Sequence, residues 1–309
     1  MEEIEVEAVD YAIGFDLGGS SIKAISITEA GTTISKSNVS FDPHIPMDWA
    51  RTMRSMLVSI STEASAEFPG CAPRLGVSAP GLAARDGKSI AFMPGRLQGL
   101  EGLVWGDYLQ STHTVPVLND AHAALLGEAW CGAAQGFKDV FLLTLGTGVG
   151  GAALVDGRLL RGHIGRGGHL GHTCLEPEAP PDITGMPGAL EDAIGNCTIR
   201  QRSNGAFPTT HALVDAYKAG DALAARVWLK SVKALACGIG SFINVLDPEA
   251  VIVGGGIARS GSALFEPLQD FLDQVEWRPG GSRVKILPAK LGEFAGAYGA
   301  AANALGKFT

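Results

Sequence analysis

Three glycine-rich turns, each directly after an apolar run, are the first feature of this sequence that could do chemistry. Glycine lets backbone N–H groups approach an anion closely, so such turns suit the phosphates of a nucleotide. Because each follows a strand-like run, we expect all three at strand ends, where α/β folds bind ligands. None matches the GxxxxGK[ST] phosphate loop or a GxGxxG sequence that opens a helix. The turns are Gly18-Gly19-Ser20-Ser21, Gly146-Thr147-Gly148 and Gly254-Gly255-Gly256.

Two acidic residues are predicted at strand ends as well. Asp16 closes the apolar run 11–16 and precedes the first glycine turn. It could cap that turn, but the glycines beside it favour a role near Mg²⁺, directly or through water. Asp120 follows Asn119 at the start of an Ala/Leu-rich helix. On this dipeptide alone, helix capping is the simpler interpretation, and a catalytic base is the alternative.

The order of predicted elements indicates a duplicated α/β architecture. A strand, a glycine turn and a returning strand occur at 11–31, and the same unit restarts at 139–157. Two related domains around a cleft, with the turns on its floor, are therefore expected. Further strands are predicted at 74–78, 115–118, 250–253 and near 283–287, and helices are predicted at 48–68, 120–134, 189–196, 210–219, 221–246 and 295–305.

Composition excludes several classes of protein. The chain has 309 residues, enough for two domains, and a net charge of −8, which argues against a nucleic-acid partner. There is no uninterrupted run of about 18 apolar residues, so no membrane span is expected. The five cysteines lack a CxxC pair and are interpreted as reduced thiols of a cytoplasmic protein. The Glu-rich residues 1–7 resemble a solvated tail and not a targeting peptide.

Five segments in a fixed order resemble the ROK family of repressors, open-reading-frame proteins and sugar kinases. They are GFDLGGSSIK at 14–23, VSAPG at 77–81, VLNDAHAALLGE at 117–128, TLGTGVGGA at 144–152 and GALE at 188–191. The resemblance implies the actin-like ATPase fold, with two ribonuclease-H-like domains whose mixed sheets are flanked by helices. It places these domains at 1–118 and 119–295, with a last helix at about 296–309 packed on the first. It also implies phosphorylation of hexoses or N-acetylated amino sugars, usually from MgATP.

The resemblance also implies roles for individual residues. Asp120 matches the catalytic base of the family, Asn119 a sugar-binding Asn, and Glu191 a sugar-contacting acid. Asp16 is the expected magnesium-side acid. The nucleotide is expected at Asp16, Gly18, Gly19, Ser20, Ser21, Lys23, Gly146, Thr147, Gly148, Gly254, Gly255 and Gly256.

The sequence departs from the family pattern at one segment. The family commonly has Gly-Glu-Ile-Gly-His followed by zinc-binding cysteines, whereas this chain reads GHLGH at 168–172. His169 therefore replaces a sugar-binding Glu, and a neutral imidazole both donates and accepts hydrogen bonds where a carboxylate only accepts. His172 is retained and is expected to contact substrate. The cysteine positions fall on Asp182, Thr184 and Ala189, so no zinc is expected.

Three alternatives remain open. A sugar-responsive repressor would need a helix-turn-helix, and about fifteen residues before the first glycine turn are too few for one. Polyphosphate could replace ATP as the donor, since some relatives that use it also lack the zinc motif. The Glu-to-His change at His169 also keeps a cyclic polyol, such as an inositol, as an alternative substrate. The family often forms dimers, which makes a homodimer an expectation.

Overall fold

A computed structural model describes residues 11–95 and 97–308, so the Glu-rich tail predicted at 1–7 lies outside the described residues. The strands of this part of the chain are β1 Tyr11–Leu17, β2 Ser21–Thr28, β3 Thr33–Ser40, β4 Arg74–Ala79, β5 Leu82–Ala83, β6 Ile90–Phe92, β7 Val117–Asn119, β8 Val140–Leu145, β9 Val149–Val155, β10 Arg158–Leu159, β11 Ala250–Gly254 and β12 Lys285–Pro288.

The α-helices of the same residues are α1 Asp48–Ala64, α2 Trp105–Leu109, α3 Asp120–Cys131, α4 Leu190–Ile194, α5 Ile199–Arg202, α6 Thr210–Lys218, α7 Ala222–Leu246, α8 Ser262–Val275 and α9 Ala295–Ala304. Short 3₁₀ turns occur at Leu170–His172, Asn196–Thr198, Ile257–Ser260, Pro279–Gly281 and Gly292–Phe294.

Two five-stranded mixed sheets share one topology. The first has the order β3-β2-β1-β4-β7 and the second the order β10-β9-β8-β11-β12. In each sheet the first three strands of this order are antiparallel, and the last three run parallel. The predicted duplication and the mixed α/β fold class are thus confirmed. In both sheets a glycine turn joins the central strand to its antiparallel neighbour.

The chain packs as two compact units. The first contains the described residues up to Gln135, together with Arg161–Arg166 and 293–308, and the second contains Gly136–Leu160 and Gly167–Gly292. By packing, α3 belongs with the first unit, whereas the sequence prediction began the second domain at residue 119. That boundary stays a prediction.

Each unit has its own hydrophobic core. In the first, Phe15 of β1 is buried with Trp49 and Met53 of α1. In the second, Phe141 of β8 is buried with Trp228 of α7. Helix α7 is long and apolar enough to cross a membrane by length and composition alone. However, half of its apolar window is buried in the protein, as in the core helix of a soluble protein.

The predicted elements differ from the structure mainly at their ends. The strand predicted at 115–118 is β7, Val117–Asn119, which begins after Pro116 because proline has no N–H to donate to a ladder. The helix predicted at 48–68 ends as α1 at Ala64 and continues as turns. The short β5–β6 pair and α2 were not predicted, since elements of two to five residues carry no detectable periodicity.

Helix α9 approaches its neighbours unusually closely. A Cβ on Gly14 of β1 would lie 2.0 Å from the Ala297 carbonyl oxygen, and one on Gly76 of β4 would lie 2.0 Å from that of Ala300. On the other side, a Cβ on Gly299 would lie 1.6 Å from the carbonyl oxygen of Ala123 in α3. No real Cβ tolerates such distances, so glycine at these crossings is a steric requirement for the layered packing of β1, α9 and α3.

We expect Gly299→Ala to lower the free energy of unfolding by roughly 1–3 kcal/mol, because the added methyl group forces α9 and α3 apart. Urea unfolding followed by circular dichroism measures the change. Gly106→Ala is the matched control, since Gly106 also lies in a helix of the first unit but has no atom closer than 3.9 Å to a built Cβ. Equal unfolding midpoints for the two variants would contradict the steric argument.

Candidate functional site

The first unit places Asp16 at the end of β1. The parallel pairing of β1 with β4 sets Asp16 opposite Ser78, whose buried hydroxyl donates to Asp16 Oδ1 over 2.7 Å. Burial raises the pKa of Asp16 to about 6, although the Ser78 bond opposes the shift. The charge of Asp120 raises this pKa further, and that of Lys23, which pairs with Asp16 on β2, lowers it.

Gly296, at the start of α9, forms one wall of this carboxyl site. A Cβ there would lie 2.5 Å from Asp16 Oδ1 and from its carboxyl carbon. Any larger residue at this position would displace the carboxylate. Sequence reasoning assigned no role to Gly296 or Ser78, because only the register of β1 and β4 and the approach of α9 bring them to Asp16.

Asn119 and Asp120 lie where β7 ends and α3 begins. Asn119 Oδ1 accepts from the backbone N–H groups of Ala121 at 3.0 Å and His122 at 3.4 Å, and so caps the helix. Its Nδ2 donates one hydrogen to the Gly81 carbonyl over 2.9 Å, and its second hydrogen can serve a ligand. The structure therefore confirms the capping interpretation of Asn119 without removing its capacity to bind a substrate.

The carboxylate of Asp120 is solvent-accessible and lies at the N-terminus of α3. Its Oδ1 accepts a hydrogen bond from the backbone N–H of Ala121, 2.8 Å long. The surrounding protein removes part of the water from this carboxylate, although the residue remains exposed, and this desolvation raises the pKa of Asp120. The hydrogen bonds from Ala121 and Asn119 work against this rise. Because the helix dipole also favours a negative charge there, the side chain is held as an oriented carboxylate of raised basicity.

The turn that joins β1 to β2 contains Gly18, Gly19, Ser20 and Ser21. It is closed by a hydrogen bond from the Gly18 N–H to the Ser21 carbonyl, 2.9 Å long. Gly19 does not have positive φ, and a Cβ built on it meets no atom within 4 Å. The fold itself therefore does not require glycine at Gly19. Open, exposed backbone at this point suits the close approach of a ligand.

The second unit brings the other two turns to one edge of its sheet, because β8 and β11 are parallel and pair from Ala250 with Val140 to Gly254 with Thr144. Gly255 has φ +87°, and its Cβ would lie 2.3 Å from the Leu145 carbonyl oxygen, so the fold requires glycine there. By contrast, Gly146 and Gly256 have neither positive φ nor a neighbour within 4 Å of a built Cβ. These two match Gly19 in having no structural reason to be glycine.

Glu191 of α4 lies against the turn that joins β8 to β9. Its Oε2 accepts from the Val149 N–H over 3.0 Å, and a Cβ on Gly148 would lie 1.8 Å from the same oxygen. The carbonyls of Gly146 and Thr147 accept from the N–H groups of the segment after α4. The predicted sugar-contacting acid is thus attached to the predicted phosphate-binding turn.

The two histidines predicted at the sugar site lie in the same unit. His169 is half-buried and precedes the 3₁₀ turn that contains His172. His172 Nδ1 lies 2.7 Å from Asp182 Oδ2, in a hydrogen bond whose carboxylate side is fully covered. Sequence reasoning considered Asp182 only as a lost zinc ligand, and no local pattern marks it as the partner of His172.

The residues at the expected zinc positions do not fit zinc. Structural zinc takes four thiolate or imidazole ligands, whereas Thr184 and Ala189 offer neither, and Asp182 is already bonded to His172 and Thr184. His172, Asp182 and Glu191 do offer ligand atoms within 4.8 Å of one another. Protein donors already occupy both oxygens of Asp182 and Oε2 of Glu191, however.

Comparison with known proteins gives consistent matches over nearly the whole chain. The sequence profile of the ROK family matches residues 12–307. A glucokinase of Thermotoga maritima is 31% identical over 308 residues, covering 94% of this chain and 95% of that protein. A ROK hexokinase structure from Thermus thermophilus superposes with a TM-score of 0.82 at 29% identity, covering 94% and 96% of the two chains. The structure of a ROK family glucokinase from Streptomyces griseus, in complex with glucose and AMPPNP, superposes with a TM-score of 0.72 at 27% identity. It covers 94% of this chain and 98% of that one.

We expect Asp16→Asn to stabilise the ligand-free protein at pH 7–8. A carboxyl whose pKa rises from 3.8 to about 6 on folding binds its proton more tightly in the folded state. Its ionised form therefore lowers the free energy of unfolding above pH 6 by roughly 1–2 kcal/mol, after allowance for partial exposure. This loss disappears as the pH falls through about 6 towards 3.8.

The variant should accordingly unfold at a higher urea concentration than the wild type at pH 7.5, with the difference shrinking towards zero near pH 4. Asparagine keeps an acceptor for the Ser78 hydroxyl. Asp107→Asn, at an exposed acid of the same unit, is the control and should leave the urea midpoint unchanged both at pH 7.5 and near pH 4. A variant that is less stable than the wild type at pH 7.5 would show that ionised Asp16 is not a destabilising charge.

Proposed function

The chain belongs to the ROK family as a carbohydrate kinase, and we propose that it transfers the γ-phosphoryl group of ATP to a hydroxyl of a hexose, an N-acetylhexosamine or a related polyol, with Asp120 as the general base. The actin-like fold implied by the resemblance agrees with the structural neighbours. The reaction needs an acceptor hydroxyl, a base for its proton and backbone donors for phosphate oxygens.

The pair of acids at the strand ends of the first unit is the observation that carries this proposal. Asp16 and Asp120 both have a pKa raised by burial, and the charge of Asp120 raises that of Asp16 further. Two desolvated carboxylates that repel each other reduce stability, and such arrangements cluster at functional sites. A raised pKa also brings the carboxylate of Asp120 closer to the basicity that proton transfer near neutral pH requires.

Phosphate binding is supported by glycines that the fold does not explain. Gly19, Gly146 and Gly256 lie in three different strand-end turns and have open space where a Cβ would be. Their absent side chains leave backbone N–H groups accessible to an anion. Lys23 adds a positive charge near the first turn. AMPPNP in the Streptomyces griseus glucokinase supports ATP as the donor for this chain.

Each residue has a separate task in the proposed mechanism. Asp120 accepts the proton of the attacking hydroxyl. Asn119 orients that hydroxyl with the Nδ2 hydrogen that is not donated to the Gly81 carbonyl. Asp16 would hold Mg²⁺, directly or through water, since one oxygen accepts from Ser78 and the other suits a hard cation. When bound, Mg²⁺ would neutralise charge on the phosphates during transfer.

The sugar is assigned to Asn119, Glu191, His172 and His169. A carboxylate accepts hydrogen bonds from sugar hydroxyls, and imidazoles can donate or accept them. We also propose a cytoplasmic location, which is where ATP is abundant. It is supported by the free thiols of all five cysteines in the described residues.

Asp120→Asn should lower kcat by a factor of about 10²–10⁴, because the amide cannot take the proton from the acceptor hydroxyl. The measurement is coupled ADP release with MgATP over a panel of hexoses, N-acetylhexosamines, ketoses and inositols. The variant should keep the circular dichroism spectrum of the wild type and unfold at no lower urea concentration, since asparagine also suits the start of a helix and the repulsion with Asp16 is removed. Asp107→Asn, an exposed acid in the first turn of α2, is the matched control and should retain full turnover.

Wild-type-like turnover by a folded Asp120→Asn variant would refute the base assignment. A folded wild-type protein that binds ATP but phosphorylates no member of the panel would refute the proposed acceptor class.

His169→Glu should change the order of preference among sugars, because it replaces a group that can donate by one that can only accept. We expect kcat/KM ratios between pairs of sugars to shift by about 10-fold or more, as when a substrate hydroxyl gains or loses its partner. The same sugar panel provides the measurement. His113→Glu, at an exposed histidine of the other unit, is the control. An unchanged ranking in His169→Glu would remove His169 from the set of residues that determine specificity.

A further inference from the structure

The carboxylate of Asp182 is the centre of a dense set of hydrogen bonds in the segment between the 3₁₀ turn Leu170–His172 and α4. Its Oδ1 accepts from the Thr184 N–H at 2.7 Å, the Thr184 hydroxyl at 2.6 Å and the Met186 N–H at 3.0 Å. Its Oδ2 lies 2.7 Å from His172 Nδ1. The side chain is fully covered, although the adjacent Ile183 is 88% exposed.

These hydrogen bonds hold the segment in one conformation, which is the role that a bound metal ion would otherwise have. Residues 176–187 have no regular secondary structure apart from one isolated bridge between Pro181 and Pro187. In other proteins, a metal ion or a disulfide can hold such a segment in one conformation. Here, donors from residues 172, 184 and 186 converge on one carboxylate, and both of its oxygens are occupied.

The same carboxylate determines which ring nitrogen of His172 carries the hydrogen in the neutral ring. Burial would raise the pKa of Asp182, but the hydrogen bonds from Thr184, His172 and Met186 outweigh it and hold this pKa below its ordinary value. An ionised carboxylate only accepts hydrogen bonds, so Nδ1 of His172 must carry the hydrogen. In the neutral ring, Nε2 is then an acceptor. Glu191, whose ligand atom lies within 4.8 Å of that of His172, is an acceptor as well.

We propose that Asp182 is a positioning residue for sugar recognition, which orders this segment in place of a metal ion and holds His172 with Nδ1–H towards itself and Nε2 as an acceptor for a substrate hydroxyl. The inference rests on the proposed function, because that function assigns His172 and Glu191 to the sugar. Two neighbouring acceptors select ligands that present two hydroxyl hydrogens on one side, as polyhydroxy compounds do.

Asp182→Asn tests the positioning role by kinetics. Asparagine retains the size of the side chain and an acceptor oxygen for Thr184 and Met186, but presents an amide donor to His172. Nδ1 must then become the acceptor and Nε2 the donor. We expect the KM for the sugar to rise about 10-fold, with kcat and the KM for ATP changed by no more than about 2-fold. An unchanged KM for the sugar would overturn the proposal.

Two matched variants separate positioning from general destabilisation. Glu178→Gln removes the same charge from an exposed position of the same segment and should leave all constants unchanged. Thr184→Ala removes one bond to the Asp182 carboxylate but keeps the contact with His172, so it should lower the melting temperature without raising the KM for the sugar. A KM increase in Thr184→Ala equal to that in Asp182→Asn would reduce Asp182 to a merely structural role.

Two measurements on the wild-type protein do not depend on activity or on the folding of a variant. ¹⁵N-histidine NMR, with the His172 signals identified by their loss in His172→Gln, should show hydrogen on Nδ1. Hydrogen on Nε2 alone would overturn the proposal. Dialysis against EDTA should leave the melting temperature unchanged, whereas a zinc ion whose removal lowers it would also overturn the proposal. If the wild type phosphorylates no sugar, the proposed function fails, and these two results still decide whether Asp182 orients His172 without metal.

Discussion

The approach of α9 to the backbone of its neighbours is the constraint on which the first unit depends. Side chains normally keep a helix and a sheet well apart, but here glycines at Gly14, Gly76 and Gly299 remove that separation. The layers β1, α9 and α3 are consequently fixed to each other by backbone contact, which leaves little freedom to slide. The strand ends that carry Asp16 and Ser78, and the helix start that carries Asp120, are positioned by the same contact.

This packing explains how an unfavourable charge arrangement can persist. Because residue 296 is glycine, the start of α9 approaches the Asp16 carboxylate so closely that a Cβ on Gly296 would lie 2.5 Å from Asp16 Oδ1. This approach removes water from one side of the carboxylate. Desolvation and the charge of Asp120 make ionised Asp16 unfavourable, with only the Ser78 hydroxyl and the charge of Lys23 in compensation. The hydrophobic core of the unit offsets this loss, because burial of large side chains such as Phe15 and Trp49 contributes roughly 1.5–3 kcal/mol each.

The sequence predicts regular elements well and tertiary partners poorly. Apolar periodicity and glycine turns predict β1, α1, α7 and the duplicated sheet, because these depend on residues close together in the chain. Turns at strand ends could be recognised for the same reason. The pairing of Ser78 with Asp16 depends on strand register, and the contact of Asp182 with His172 depends on the path of an irregular segment. Neither leaves a local pattern, so neither could be predicted.

Four carboxylates, two in each unit, show how the surroundings divide chemical from structural roles. Asp182 accepts four hydrogen bonds, which hold its pKa below the ordinary value despite burial. Glu191 accepts from the Val149 N–H and packs against the glycine turn, so it is held in place. Asp16 accepts from the Ser78 hydroxyl and Asp120 from Ala121 and Asn119, but these hydrogen bonds do not outweigh desolvation, and both pKa values rise. A carboxylate whose donors outweigh its desolvation is a structural anchor, whereas one whose donors do not outweigh it retains the capacity to bind a cation or take a proton. This difference in the balance of donors and desolvation, which the residue type does not reveal, supports the proposed reaction chemistry of Asp16 and Asp120 and the proposed positioning role of Asp182.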